Sequence, residues 1–120
     1  MKVAYIRVSS STQSLELQRE AVQKENVDKI FEEKVSGTST QGREKLKEML
    51  EFVREGDTCY ITRTDRLARS ILDLQLIVKE LTDKGVGLVA TEQPISTKDA
   101  TSKCFLDMLG VFAEFETNIR

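Results

Sequence analysis

Hydrophobic and polar positions follow two different periods along this chain, and together they predict four strands separated by helices. Short apolar, β-rich runs predict strands at residues 2–6, 29–34, 58–62 and 86–90. Apolar positions spaced three and four residues apart predict helices between and after these runs. The clearest helical set is Leu46, Met49, Leu50 and Val53. Alternating strands and helices are typical of a mostly parallel sheet covered on both faces, so we predict an open α/β domain near the flavodoxin-like type.

A last helical pattern begins at about residue 100 and is still running at Arg120. We therefore divide the chain into an α/β domain, residues 1–99, and the start of a long helix, residues 100–120. One apolar, aromatic-rich stripe follows this helix: Phe105, Met108, Leu109, Phe112 and Phe115. The stripe fits either an ordinary buried helix or a helix that meets a partner subunit. An aromatic stripe at a chain end favours the second, and we predict these five as oligomerisation residues.

Composition excludes several classes of site. The 120 residues contain no histidine, which removes Ser-His and Cys-His catalysis and histidine-based metal sites. The net charge is −2, from 18 basic and 20 acidic residues, which argues against a simple DNA-binding domain. The first residues lack a signal-peptide pattern, so we expect a cytoplasmic protein. The two lone cysteines, Cys59 and Cys104, are expected to be small buried hydrophobes.

Positive charge is nevertheless concentrated where a parallel sheet forms its sites, beyond the carboxyl ends of the strands. Five of the eight arginines follow predicted strands: Arg7, Arg43, Arg63, Arg66 and Arg69. Any one of them alone fits a solvated surface position. Five at one sheet edge repel one another unless an anion joins them, and Asp65 cannot neutralise them all. Guanidinium groups bind phosphate oxygens in pairs, so the cluster points to a phosphate ligand.

Hydroxyl groups follow the first predicted strand, and one of them is a candidate nucleophile. Ser10, Ser11 and Thr12 fit caps or turns, the usual role of such residues between a strand and a helix. Ser9 lies nearest the strand end, two residues from Arg7, and its hydroxyl could attack a phosphorus atom. With no histidine as base, activation would rest on arginine electrostatics. Asp65 is a possible proton acceptor, although an acid before a helix is more often an N-cap.

Four short motifs, in order and at plausible spacing, resemble those of the serine recombinases, the resolvase/invertase family. The motifs are Tyr5-Ile6-Arg7-Val8-Ser9-Ser10 with Gln13 and Gln18; Ser36-Gly37-Thr38 with Arg43; Glu55-Gly56-Asp57 with Asp65-Arg66-Leu67-Ala68-Arg69; and Ala113-Glu114-Phe115-Glu116. The resemblance covers essentially the whole chain. It differs in a loop before Arg43 that is one residue longer and in Thr117, where the family often has arginine.

The resemblance implies a catalytic domain that cuts and rejoins double-stranded DNA through a 5′-phosphoseryl link, without a metal or nucleotide cofactor. By position Ser9 would be the nucleophile, and the phosphate-binding residues would be Arg7, Arg66 and Arg69. Arg43 and Asp65 would complete the site, with Gln13, Gln18 and Arg63 in support. Strand exchange would take place in a homotetramer built from homodimers. The family's C-terminal DNA-binding domain would lie beyond the end of this chain.

Two other interpretations remain at this stage. A receiver-like signalling module needs a phospho-accepting aspartate near the first strand, and Arg7 and Ser9 stand there instead. A degenerate family member that only oligomerises is disfavoured by the complete set of serine and arginines.

Overall fold

A computed structural model describes residues 1–8, 12–34, 43–64, 67–68, 70–92, 96–98, 104, 107–108 and 111 of the chain, with the backbone alone for residues 12–14. Within these residues strands and helices alternate. In chain order they are β1 (Lys2–Val8), α1 (Thr12–Gln23), β2 (Lys29–Lys34), α2 (Glu44–Phe52), β3 (Thr58–Ile61), α3 (Ile71–Asp83) and β4 (Gly87–Ala90). The predicted order of strands and helices is confirmed through β4.

The four strands form one sheet in the order β2-β1-β3-β4, and all neighbouring strands are parallel. This arrangement confirms the predicted open α/β fold. In the register of β1 with β2, Arg7 lies opposite Glu33. Because the strands are parallel, the connections that lead into α1, α2 and α3 all leave from the same edge of the sheet.

Helices cover the sheet on both faces. On one face Val3, Tyr5 and Phe31 pack with α2 and α3 around Met49, which is fully buried. On the other face Ala4, Ile6 and Val8 pack against α1. Successive side chains of a strand point to opposite faces. The odd-numbered residues of β1 therefore face α2 and α3, and the even-numbered residues face α1.

Three strands differ at their ends from the sequence prediction, β3 only in that it ends at Ile61, one residue before the predicted Thr62. β1 runs two residues further, through Val8, because its pairing with β2 continues to Lys34. Arg7 and Val8 were expected just after this strand and lie within it. β4 begins at Gly87 and not at Val86, because the Val86 N–H closes the end of α3 by binding the Leu81 carbonyl at 2.8 Å. Gly85 makes that turn at φ 77°, which glycine adopts without steric cost.

Several predicted features lie outside the described residues, namely the loop before Gly42 and the break at Gln93-Pro94. In the last predicted helix, residues 104, 107, 108 and 111 are helical. Met108 of the aromatic-rich stripe is 52% exposed. The other stripe members lie outside the described residues: Phe105, Leu109, Phe112 and Phe115. Among the described helices, none is long and apolar enough to cross a membrane.

The two cysteines have different environments. Cys59 is fully buried in the core beside Met49, and burial raises the pKa of its thiol to about 12. Cys104 is exposed, so the expectation of a buried residue is confirmed for Cys59 and wrong for Cys104. The apolar sequence around Cys104 did not reveal which side of its helix the thiol occupies.

We therefore expect one reactive thiol in the folded chain. At mildly alkaline pH a thiol-disulfide reagent will modify Cys104 at the rate of a free thiol. Cys59 will react only on unfolding, because attack needs an accessible thiolate. Counting modified thiols before and after denaturant measures this, with Cys104→Ser as the control that removes the fast reaction. Two fast thiols in the native chain would contradict the burial of Cys59.

Candidate active site

Two of the predicted arginines lie at the carboxyl edge of the sheet. Arg7 is the sixth residue of β1 and lies on the same face as Tyr5, toward α2 and α3. Arg43 immediately precedes α2, at its N-cap position. Arginines separated by 36 positions are thus brought to the same edge, as the sequence analysis expected.

A buried carboxylate connects β1, β2 and α2 beside these arginines. Glu33 of β2 is 7% exposed, and its Oε1 accepts a 2.6 Å hydrogen bond from the Tyr5 hydroxyl. Its Oε2 accepts the backbone N–H of Lys45 at 3.1 Å, in the first turn of α2. Arg43 supplies no capping side chain to this helix, so a residue from the sheet does. Glu33 therefore holds the first turn of α2 against the sheet, and this also sets the position of Arg43.

The pKa of the Tyr5 hydroxyl depends on its burial and on the charges around it. Burial, and then the hydrogen bond and negative charge of Glu33, raise the pKa of Tyr5 well above its usual value. The positive charges of Arg7 and Arg43 act in the opposite direction on the same pKa. Tyr5 therefore stays a neutral hydrogen-bond donor, and both guanidinium groups lie near enough to influence it.

Arg43 also makes an ion pair with the first turn of α3. Its Nη1 lies 3.2 Å from Oδ1 of Asp73, and its Nη2 lies 2.9 Å from Oδ2. Both side chains are 21% exposed. The two parallel contacts hold the plane of the guanidinium group as well as its position. Within the described part of the chain, the Nε of Arg43 is buried and has no hydrogen-bond partner.

The backbone of Arg7 is held from the opposite face of the sheet. Gln18 of α1 is 6% exposed, and its Oε1 accepts the Arg7 N–H at 3.3 Å. Its Nε2 donates to the Arg7 carbonyl at 3.0 Å. The pairing of β1 with β3 reaches only Ala4, so Arg7 lies beyond that ladder. The amide of Gln18 thus supplies a donor and an acceptor to this strand end, as a neighbouring strand would.

The segment after β3 is held in the core at Leu67, which lies between Arg66 and Arg69 in the sequence. Leu67 is fully buried in the core, and its N–H and that of Ala68 bind the Thr64 carbonyl. Ser70 then caps α3, its Oγ accepting the Asp73 N–H at 3.1 Å. Arg63 follows β3 and is exposed.

The predicted site residues divide into two groups. The structure places Arg7 and Arg43 at the same edge of the sheet, joins Gln18 to the Arg7 backbone from the other face, and places Arg63 after β3. Four of the others lie outside the described residues: Ser9, Asp65, Arg66 and Arg69. Gln13 is described by its backbone only. Their roles remain predictions. In the described part of the chain no three acidic or cysteine side chains gather as metal ligands would.

Sequence reasoning missed two acidic residues beside the arginines, Glu33 and Asp73. Glu33 left a signal, because alternation along β2 places it on the same face as Phe31, where an unpaired acid is rare. Asp73 left none beyond its place three residues after Ser70, which fits an ordinary first-turn acid. Its contact with Arg43 spans 30 positions, and no local pattern reports such a pair.

Comparison with known proteins identifies relatives of this chain. The "Integrase-like protein y4lS" of Sinorhizobium fredii (strain NBRC 101917 / NGR234) is 50% identical over 119 residues, 99% of this chain and 65% of the relative. The "Transposon Tn501 resolvase" of Pseudomonas aeruginosa is 42% identical over 96% of this chain and 61% of the relative. This chain therefore spans a little under two thirds of the length of these relatives.

Solved structures share the fold. The N-terminal catalytic domain of TP901-1 integrase matches with a TM-score of 0.80 at 24% identity, over 100% of this chain and 99% of that one. A resolvase family site-specific recombinase from Streptococcus pneumoniae matches with a TM-score of 0.76 at 25% identity, over 98% and 89%. The family model "Resolvase, N terminal domain" matches residues 2–120. This chain belongs to the resolvase N-terminal domain family.

Proposed function

We propose that the chain is the catalytic domain of a serine site-specific recombinase, which cleaves and rejoins double-stranded DNA. The observation that carries the proposal is the placement of Arg7 and Arg43 at the same sheet edge, after which Ser9 follows in the sequence. Membership of the resolvase family supports it. The names of its relatives, a resolvase among them, point the same way.

In the proposed reaction the Oγ of Ser9 attacks a DNA phosphorus atom. A bond forms between Oγ and phosphorus, and the bond from phosphorus to the 3′-oxygen breaks. The serine proton leaves to Asp65 or to solvent, and the departing 3′-oxygen takes up a proton. The product is a 5′-phosphoseryl link and a free 3′-hydroxyl. Because one phosphoester replaces another, the reverse attack rejoins DNA without a nucleotide cofactor.

Arginines would carry the electrostatic part of catalysis in the absence of histidine. Arg7, Arg66 and Arg69 would bind the non-bridging oxygens of the scissile phosphate, where negative charge grows during attack. Arg43 would complete this set. Guanidinium groups stay protonated at any working pH, so their contribution does not depend on titration. Gln13, Gln18 and Arg63 would support the site without taking part in bond making.

Self-association would bring two cleaved sites together for exchange. The aromatic-rich stripe would form the contact between copies, first in a dimer and then in a tetramer. The 52% exposure of Met108 supports this, because that side chain is not covered by the described part of its own chain.

The reaction predicts a covalent adduct that depends on Ser9. The chain, fused through Arg120 to a sequence-specific DNA-binding module, is incubated with duplex DNA carrying paired module sites and then denatured. We expect protein attached to a 5′ end of DNA, with a free 3′-hydroxyl opposite. Ser9→Ala abolishes the adduct. Ser10→Ala is the matched control, because it removes the neighbouring hydroxyl and leaves the adduct.

Either of two outcomes would contradict the mechanism. An adduct that survives Ser9→Ala would remove Ser9 as the nucleophile. A fused chain that occupies its paired sites and forms no adduct would favour a family member that only assembles.

The two bonds of Gln18 to the Arg7 backbone predict an effect on stability and activity together. Gln18→Met keeps the side-chain length and leaves the backbone groups of Arg7 without that partner. We expect a loss of about 1–3 kcal/mol in the free energy of unfolding, and slower adduct formation. Urea titration and single-turnover cleavage measure the two effects. Gln23→Met, on the exposed end of α1, is the control, and equal behaviour of both variants would refute the role.

The proposed stripe predicts that aromatic truncation weakens self-association. Phe112→Ala with Phe115→Ala should shift sedimentation toward the monomer, because contacts between copies are dominated by such side chains. Leu76→Ala is the control, since Leu76 is 60% exposed on α3. An unchanged sedimentation profile would assign the stripe to the core of its own chain.

A further inference from the structure

We infer that Asp73 is a positioning residue, which orients the Arg43 guanidinium for the scissile phosphate and links the start of α2 to the segment that leads into α3. The inference rests on the proposed function. It concerns a residue outside the motifs that carry the family resemblance.

The first step is the geometry of the pair. The carboxylate of Asp73 contacts both terminal nitrogens of Arg43, at 3.2 and 2.9 Å, so it occupies the end of the guanidinium group. A contact of this kind fixes the direction in which the remaining edge faces. At 21% exposure for each side chain, the pair is more shielded than the ion pair of Lys79 with Asp83 on the same helix, at 74% and 67%. Such shielding makes the contact stronger than an open surface pair.

The second step concerns the side of the Arg43 guanidinium group that Asp73 does not contact, which carries the Nε. Within the described residues, the Nε of Arg43 has no acceptor although it is buried. A buried donor without a partner is costly, so it needs an explanation in a well-packed fold. The carboxylate at the end of the guanidinium group leaves the Nε without a protein acceptor. A phosphate oxygen has the right chemistry for that side, and it reaches the buried Nε only when the atoms that now cover it are displaced.

The third step is where Asp73 comes from. Its backbone is fixed by the cap of α3, because Ser70 Oγ accepts the Asp73 N–H. The segment before that cap carries Asp65, Arg66 and Arg69 in the sequence, and Leu67 anchors it in the core. Arg43 comes from a different segment, at the start of α2. The pair therefore links the start of α2 to the segment that leads into α3.

An NMR measurement on the 120-residue chain tests the positioning without any assay of activity. In the wild-type chain the Arg43 Nε–H should give a resolved signal that exchanges slowly with solvent. In Asp73→Asn, which keeps the shape and removes the charge, this signal should broaden or exchange at least several-fold faster. The backbone spectrum of the same sample reports whether the fold is intact. A signal as sharp and as protected as that of wild type would overturn the inference.

Single-turnover cleavage by the fused chain tests the consequence. Asp73→Asn and Asp73→Ala should cleave about 10- to 100-fold more slowly, as expected when a catalytic group loses its orientation. Asp73→Glu should restore part of the rate, because it keeps a carboxylate. Asp83→Ala is the matched control: it removes an exposed acid from the same helix and should leave the rate unchanged.

A double variant separates positioning from a general structural effect. If Asp73 acts through Arg43, then Arg43→Ala with Asp73→Ala should cleave no more slowly than Arg43→Ala alone. Two losses that multiply would overturn the inference. A faster Asp73→Asn would overturn it as well, because Asp73 would then restrain Arg43. A wild-type fusion without a Ser9-dependent adduct would refute the proposed function, and the NMR result would still decide how Arg43 is held.

Discussion

The parallel pairing of β1 with its two neighbours is the constraint on which the candidate site depends. Only parallel strands send the connections into α2 and α3 from the same edge at which β1 presents Arg7. The register of β1 with β2 then sets Glu33 opposite Arg7. A slip of one residue would move Tyr5 and Arg7 to the face covered by α1, away from Arg43.

Acids from separate elements hold this cationic edge together. The sequence argument counted Asp65 as the one acid near five arginines and therefore required an outside anion. The structure adds Asp73, which pairs with Arg43, and Glu33, which binds Tyr5 and the start of α2. Part of the repulsion is thus relieved within the chain. The case for a phosphate now rests on the placement of Arg7 and Arg43 at one edge and on the buried Nε of Arg43, which has no partner among the described residues.

The fold could be predicted because its signals are local and mutually consistent. Four β-rich runs and the helical periods between them lead to one topology, since a parallel sheet needs a crossover between successive strands. Strand ends were less accurate. The extension of β1 through Val8 depends on partners in β2 and α1 that no local window contains. The exposure of Cys104 was missed for a similar reason, because an apolar neighbourhood in sequence does not determine a helix face.

The sequence by itself determined the order of elements, the edge at which Arg7 and Arg43 lie and the family to be expected. It could do so because alternation, helical period and short motifs are properties of neighbouring residues. Tertiary structure alone decided that Gln18 holds the Arg7 backbone, that Glu33 caps α2 and that Asp73 holds Arg43. Each of these contacts joins residues 11 to 30 positions apart. Their geometry exists only after the sheet has set the distance between the elements that carry them.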